Sequence, residues 1–463
     1  MGSSRGSALK RSGPGSRMIT VELATRSERY NWMRLGTDKW QPIPLAGLFA
    51  LILIAVSAAQ AQDWQEFRGA GGRGLSSATG LPVQWTAEQI RWQTKLPGRG
   101  WSSPVVIENQ IWMTTALENA AEADGGLVLA ALCVERETGK LLHEVPLFRV
   151  PKPPEIHSLN SYASPTPIIE GDAVYCNFGT MGTAAVNRLD GKVLWSNSEL
   201  KFEHETGPGS SPILFGDLLI VHCDGTDQQF VTAFRKQDGT IAWRTARSGE
   251  LHPDGMMKKA FSTPIVIPGK TGPQLISPGA NWVYGYDPQT GSELWKVSYG
   301  KLGFSNVPRP LFADGLVYVC TGYNRASLLA LKFDGDTELD EADIAWKFEN
   351  QVPTQPTPII VEGLLFMVSD TGVATCLDAK SGKQLWQKRL GGDFSASPIL
   401  ADGRLYFGNR DGKVFVIAPT SSYELLATNE VEDGIMATPA AVDNQLIIRT
   451  KTGILRVDGA ASR

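Results

Sequence analysis

The chain has 463 residues, 48 of them glycine and 28 proline, with 9% aromatic residues, 20% charged residues and a formal net charge of −4. Beyond the N-terminus it shows no helical period, and one β-rich domain of about 400 residues accounts for nearly all of it. Its acidic balance argues against nucleic acid as a partner.

Residues 1–61 read as a basic leader and signal peptide. Eight Lys and Arg against three acids precede the charge-free run Leu45–Val56, which ends near Ala59-Gln-Ala61. A basic flank, a short apolar stretch and small residues at the end match an export signal. The run is short for a membrane span, so cleavage after Ala61 is expected; an uncleaved anchor would be the protein's one route to a membrane. The flank is long for a signal, and Met18 or Met33 are alternative starts. No Cys lies near the cleavage point, so no lipid anchor is expected. Without the leader the net charge falls from −4 to −9.

Residues 62–463 carry a repeat. Its front half is a Ser/Thr/Ala-rich stretch ending in Pro and aliphatics, with prolines at Pro104, Pro167, Pro212, Pro264, Pro310, Pro358, Pro398 and Pro439. Its back half is a Gly turn running into a Trp, as in Asp190-Gly-Lys-Val-Leu-Trp195 and Ser381-Gly-Lys-Gln-Leu-Trp386. A spacing of 40–50 residues in an all-β chain predicts a propeller, here with eight four-stranded blades. In unit six the predicted strands are Thr357–Val361, Leu364–Val368, Val373–Leu377 and Gln384–Gln387. Asp314-Gly315, Asp402-Gly403 and Asp411-Gly412 mark hairpins that need positive φ. The eighth unit lacks a Trp strand at its end. Ile90–Gln93 is expected to supply it, closing the ring with Trp92 and protecting the strand edges. Trp92, Trp195, Trp243, Trp295, Trp346 and Trp386 are therefore read as wedges between blades, each burying on the order of 200 Å². Units one and seven are degenerate, with Thr138–His143 and Ser422–Leu426 in place of the phrase.

The five cysteines are Cys133, Cys176, Cys223, Cys320 and Cys376. Cys176, Cys223 and Cys320 fall at equivalent strand positions on different blades, too far apart to bridge, so buried free thiols are expected. Asp334–Asp340 alternates acids as calcium loops do. It lacks the glycine at the sixth position and flanking helices, which makes it a solvated hairpin loop.

Polar chemistry concentrates in the approaches to units two to five. These segments occupy one structural position, so they should open on one face around the channel mouth. They carry His157, Asn160, Tyr162, His204, Lys259, Asn306 and Arg309. The ends of the second strands add Asp224 and Asp227, candidates to accept hydrogen bonds from a ligand or to help hold a cation, with Asx turns as the alternative. The approaches to units six to eight look plainer. No ordered Ser–His–Asp or paired-carboxylate set can be assembled, so no catalytic residue and no metal ligand is assigned.

The Gly-turn-to-Trp phrase resembles the blade-locking motif of the pyrroloquinoline-quinone (PQQ) dehydrogenase-like propeller superfamily, over residues 62–463. Asp63–Gly69 and Leu81–Trp85 are similar to the start of secreted bacterial PQQ-like repeat proteins. The resemblance implies that enzymatic members hold PQQ over the channel, against a Trp floor and beneath an adjacent-cysteine disulfide, with Ca²⁺ and a catalytic Asp. This chain has no adjacent cysteines and lacks the long insertions of quinoprotein alcohol dehydrogenases. BamB-like propeller lipoproteins of outer-membrane β-barrel assembly are a second resemblance, in blade number and size, but their lipobox Cys is missing here. The expectation is an exported non-enzymatic module, periplasmic or secreted, monomeric and without cofactor, binding a protein, peptide or envelope glycan. The alternatives are a quinoprotein-type or other periplasmic enzyme using the same face, and a BamB-like assembly scaffold.

Overall fold

The computed structural model describes residues 63–459 except 122–123, 301–302, 325 and 336–338. The leader and its signal-peptide reading lie outside the described residues. Eight four-stranded antiparallel sheets follow one another as the blades of a β-propeller. Blade one comprises Val105–Ile107, Gln110–Ala120, Gly126–Glu135 and Leu141–Val150. Blade six comprises Ile359–Val361, Leu364–Val368, Val373–Asp378 and Gln384–Arg389, as the repeat predicts. Blade eight takes Ala440–Val442, Gln445–Arg449 and Gly453–Asp458 from the C-terminus, and Ile90–Lys95 from the N-terminus. Ile90–Lys95 runs antiparallel to Gly453–Asp458, with Trp92 opposite Arg456. The ring is thus closed as expected, and the first strands of blades one and eight touch.

Burial follows from this architecture. Middle strands are covered on both faces, so Gly126–Glu135 is buried almost throughout, while the outermost strand Ile90–Lys95 alternates. The apolar core is divided into clusters between neighbouring blades, such as Tyr318 and Leu328 of blade five against Leu365 and Met367 of blade six. All five cysteines are free and buried.

The outer tryptophans lock consecutive blades. Trp195 Nε1 donates to Lys236 O of blade three at 2.8 Å, and its ring covers Gly239. A Cβ on Gly239 would lie 2.3 Å from that ring, and its φ of +71° already favours glycine. Trp92 on Gly139, Trp243 on Gly291 and Trp346 on Gly382 repeat the contact. Blade one puts His143 in the Trp place, beside Gly191 and stacked on Trp112 at 5.8 Å. Blade seven has no such glycine. There Trp386 donates to Thr420 O and meets Tyr423 edge-on. Trp295 departs from the pattern and donates to Gln274 of its own blade.

Asp314-Gly315 and Asp402-Gly403 form tight turns with positive φ at both residues. At Asp411-Gly412 only Gly412 has positive φ. That turn is wider, because Asn409 Oδ1 accepts from the backbone of Asp411 and Lys413.

Candidate functional site

Antiparallel blades sort their connections by face. Those from the fourth strand to the next blade, and from second to third strand, open on one face. The two remaining turns of each blade open on the other. A segment of chain before the first blade closes the channel at that second face. Trp64 pairs with Val106 of blade one, and Gln65 O accepts from Ile169 N of blade two. Arg309 of blade five donates to Phe67 O, and Arg68 donates to Thr357 O of blade six. Gly74 and Ser76 pair with Leu400 of blade seven, and Ser76 Oγ donates to Ala441 O of blade eight. This strap ties six blades together under the axis. Arg309 lies so close on Gly72 that a Cβ there would sit 1.5 Å from its guanidinium. Burial, then repulsion from Arg309, pulls the Arg68 guanidinium down to about 9.

Above the strap the channel is a funnel of about 560 Å³ with Phe67 at its base. That volume suits a small ligand. Its wall is drawn from all eight blades, so Trp101, Gln355, Ser395 and Met436 join the approaches to blades two to five. A belt of hydroxyls girdles it: Ser103, Thr166, Ser211, Thr263, Thr357, Ser397 and Thr438. Each precedes a repeat proline. Most accept from the backbone N–H of the blade before, as Thr166 does from Ser103 and Ser211 does from Thr166, both at 2.9 Å. The series continues through Thr263, Thr357, Ser397 and Thr438 at 2.9–3.0 Å. Blade five breaks the belt, because Arg309 stands at its hydroxyl position and turns down to the strap.

Above the belt the wall is apolar, with Trp101, Phe261, Phe304, Tyr323, Met256 and Met436. Lys259 also lines the funnel, although it is only 2% exposed. Its ammonium lies 3.8 Å from Met256 Sδ, and among the described residues no carboxylate comes within ion-pair distance. Burial lowers its pKa, opposed by Glu205 and Asp254. A shallower hollow of about 590 Å³ adjoins the funnel over blades five to seven, with Asp370, Asp393 and Arg410.

Of the nine residues singled out by the repeat, His157, Asn160 and Lys259 line the funnel. Asn160 is a strut: its Nδ2 donates to Thr206 O and Pro208 O, and its Oδ1 accepts from Ser161 N and Ser164 Oγ. His157 is exposed, and its Nδ1 accepts from Leu159 N. Tyr162 donates to Pro154 O behind the wall. Asp227 caps its own loop, accepting from Glu203 N and Gln228 N. Asn306 is buried and donates to Tyr299 Oη, and Arg309 serves the strap. His204 is buried against Phe202, with Nδ1 unpaired, and burial pulls it down to about 4 despite Asp227.

Asp224 belongs to a buried network between blades three and four. Both its oxygens lie 2.8 Å from Arg247 Nε, and Oδ2 is 3.1 Å from His222 Nε2. Arg247 also donates to Ser277 Oγ and to His222 Nδ1, and stacks on Tyr284. Arginine can only donate, so His222 Nδ1 must accept and Nε2 carries the proton. That proton is shared between Asp224 Oδ2 and Ala260 O, which lies at 3.0 Å beside Lys259. Burial raises the Asp224 carboxyl, but Arg247 and His222 outweigh it and hold it below its ordinary value.

The family model described as outer membrane protein assembly factor BamB matches residues 67–218, 227–355 and 336–425. The chain belongs to this family. BamB of Escherichia coli (strain K12) is 23% identical over 306 residues, covering 64% of this chain and 74% of that protein. The solved structure of BamB from Moraxella catarrhalis matches with a TM-score of 0.54 at 12% identity, over 80% of this chain and 99% of that one. A europium-containing methanol dehydrogenase matches with a TM-score of 0.63 at 11% identity, over 85% and 90%. At such identities the structural likeness shows the fold alone.

Within this BamB-like propeller, the hydroxyl belt is what the repeat reading passed over. Its signal was present: seven of the eight repeat prolines follow a Ser or Thr. The apolar wall carried a partial signal of the same kind, since Trp101, Phe261 and Met436 each stand three residues before a repeat proline, while Phe304 and Tyr323 share no position with them.

Proposed function

We propose that this propeller is an exported, non-enzymatic binding module of the bacterial cell envelope, periplasmic or secreted, that receives a protein or peptide at the funnel face. The observation that carries this reading is the funnel itself: closed below by the strap, open above, and walled by every blade. The family's description as an assembly factor agrees with a scaffold role. Among the described residues, the funnel lining includes no carboxylate to pair with Lys259 or His157 in acid–base work.

The quinoprotein alternative asks for residues that the site does not bring. Calcium takes about six to eight oxygen ligands, carboxylates prominent among them. No Asp or Glu lines the funnel, and no group of three His, Cys, Asp or Glu suited to a metal occurs among the described residues. The cysteines sit buried on separate strands. The wall therefore does not fit the quinone and calcium pair.

A photo-crosslinking residue at Tyr323, 60% exposed on the funnel face, should capture a specific envelope protein in the native host. The same residue at Leu189, 59% exposed on a turn of the opposite face, should not. Capture of the same proteins from both faces, or from Leu189 alone, would overturn the reading.

A further inference from the structure

We propose that the funnel is an anion site, taking the carboxylate of an organic acid that carries an apolar body. This deepens the binding reading above by giving its ligand a chemistry.

The wall is rich in unspent hydrogen-bond donors. Six of the seven belt hydroxyls spend a lone pair on a backbone N–H. None of the seven donates its own proton to any described residue, so seven O–H groups remain to give. The side-chain amide and imidazole acceptors on the wall each have a partner already. Asn160 Oδ1 takes Ser161 N and Ser164 Oγ, and Gln355 Oε1 takes Ser395 Oγ. His157 Nδ1 accepts from Leu159 N, which leaves Nε2 to carry the proton and donate. Lys259 adds a buried ammonium with no carboxylate partner among the described residues.

The free belt protons and one buried cation together favour a group that accepts hydrogen bonds and carries negative charge. An ionised carboxylate does both, whereas an amide or a hydroxyl would leave the Lys259 ammonium without an anion. Trp101, Phe261, Phe304 and Tyr323 stand above the belt and suit an apolar or aromatic body. Ala260 O shares the His222 Nε2 proton with Asp224 Oδ2, which helps fix the backbone that carries Lys259 before a ligand arrives.

The test compares 3-phenylpropanoate with 3-phenylpropanamide by calorimetry on the full mature chain, as wild type, Lys259→Met and Ser103→Ala. Ser103 is the belt hydroxyl that takes no backbone N–H from the preceding blade, so its loss orphans nothing. The acid should bind at least about tenfold more tightly than the amide. Lys259→Met should bring that ratio close to one while far-UV circular dichroism stays unchanged. Ser103→Ala should weaken the acid about two- to fivefold and leave the amide alone. The tripeptide Ala-Ala-Leu as free acid and as amide supplies a second arm. Tighter binding of its free acid than of 3-phenylpropanoate assigns the carboxylate to a chain terminus, and the reverse assigns it to a small acid. Equal binding of acid and amide in both arms, or no binding of either acid at millimolar concentration, overturns the proposal. If Tyr323 still captures its partner in that case, the binding module stands and only the anion chemistry fails. Acid-selective, Lys259-dependent binding without any capture would leave the anion site standing and remove the protein-partner reading.

Discussion

Two buried cations sit in neighbouring parts of this molecule and are treated in opposite ways. Arg247, between blades three and four, meets Asp224, His222, Ser277 and the face of Tyr284. Lys259, in the funnel, meets a methionine sulfur. The first is consumed by the fold, and the second is held available. A satisfied buried charge argues for architecture, and an unsatisfied one facing a cavity argues for a ligand. The outer tryptophans and the inner hydroxyls differ in the same sense. Trp195 uses its only polar atom to reach the next blade, whereas each belt hydroxyl keeps a proton in reserve.

The sharpest way to break this comparison is to strip the satisfied cation. Arg247→Met leaves the Asp224 carboxylate buried with only His222 beside it, and should cost about 3–5 kcal/mol. A fall in the urea midpoint at unchanged slope would measure it. A loss below about 1 kcal/mol would mean that the network contributes little to holding blades three and four.

His204 tests a third case, a buried polar ring with no partner on Nδ1. Its folded value lies at about 4, pulled down by burial, against about 6.5 when unfolded. Below about pH 6.5 the unfolded chain takes the proton and the folded chain does not. His204 should therefore take away about 3 kcal/mol of stability as pH falls from about 6.5 to 4, and contribute no pH dependence above that window. His204→Leu should flatten this part of the profile. An unaltered slope in melting temperature against pH would assign it to other groups.

The sequence carried the ring more fully than the site, and the reason is periodicity. Trp195, Trp243 and Trp346 repeat because each blade must grip the next, so the lock and the closure through Trp92 could be read from spacing. The approach residues share a position in the repeat, but position does not set where a side chain points. Arg309 and Asn306 were placed at the mouth by spacing. The strap diverts Arg309 through a contact 242 residues distant in sequence, and Tyr299 takes Asn306. Asp224 lies with His222 on one face of its strand, and Arg247, just past the end of the strand two over, decides its role. The apolar wall is only partly periodic: Trp101, Phe261 and Met436 each stand three residues before a repeat proline, whereas Phe304 and Tyr323 come from unlike positions that no period could announce.

Within the belt, Thr263→Val removes one hydroxyl and leaves Ser211 N–H buried without its acceptor. The expected cost is about 1–3 kcal/mol. Ser103→Ala, which removes a hydroxyl that no neighbouring N–H uses, should cost less than about 1 kcal/mol. Equal losses in chemical denaturation would show that the belt's lone pairs and its free protons are not separable in energy.

The smallest effect is expected at the residue that matters most to ligand binding. Lys259→Met keeps most of the side-chain volume and removes a buried charge that no described carboxylate contacts, so stability at neutral pH should stay level or rise slightly. The pH profile carries the sign. Burial lowers the folded Lys259 pKa below its unfolded value. The wild type should therefore gain stability as pH climbs from the folded value towards the unfolded one, and the methionine variant should lack that gain. A loss of stability on substitution, at neutral pH and without ligand, would mean that Lys259 has a protein partner in solution. The contrast with Arg247 would then dissolve.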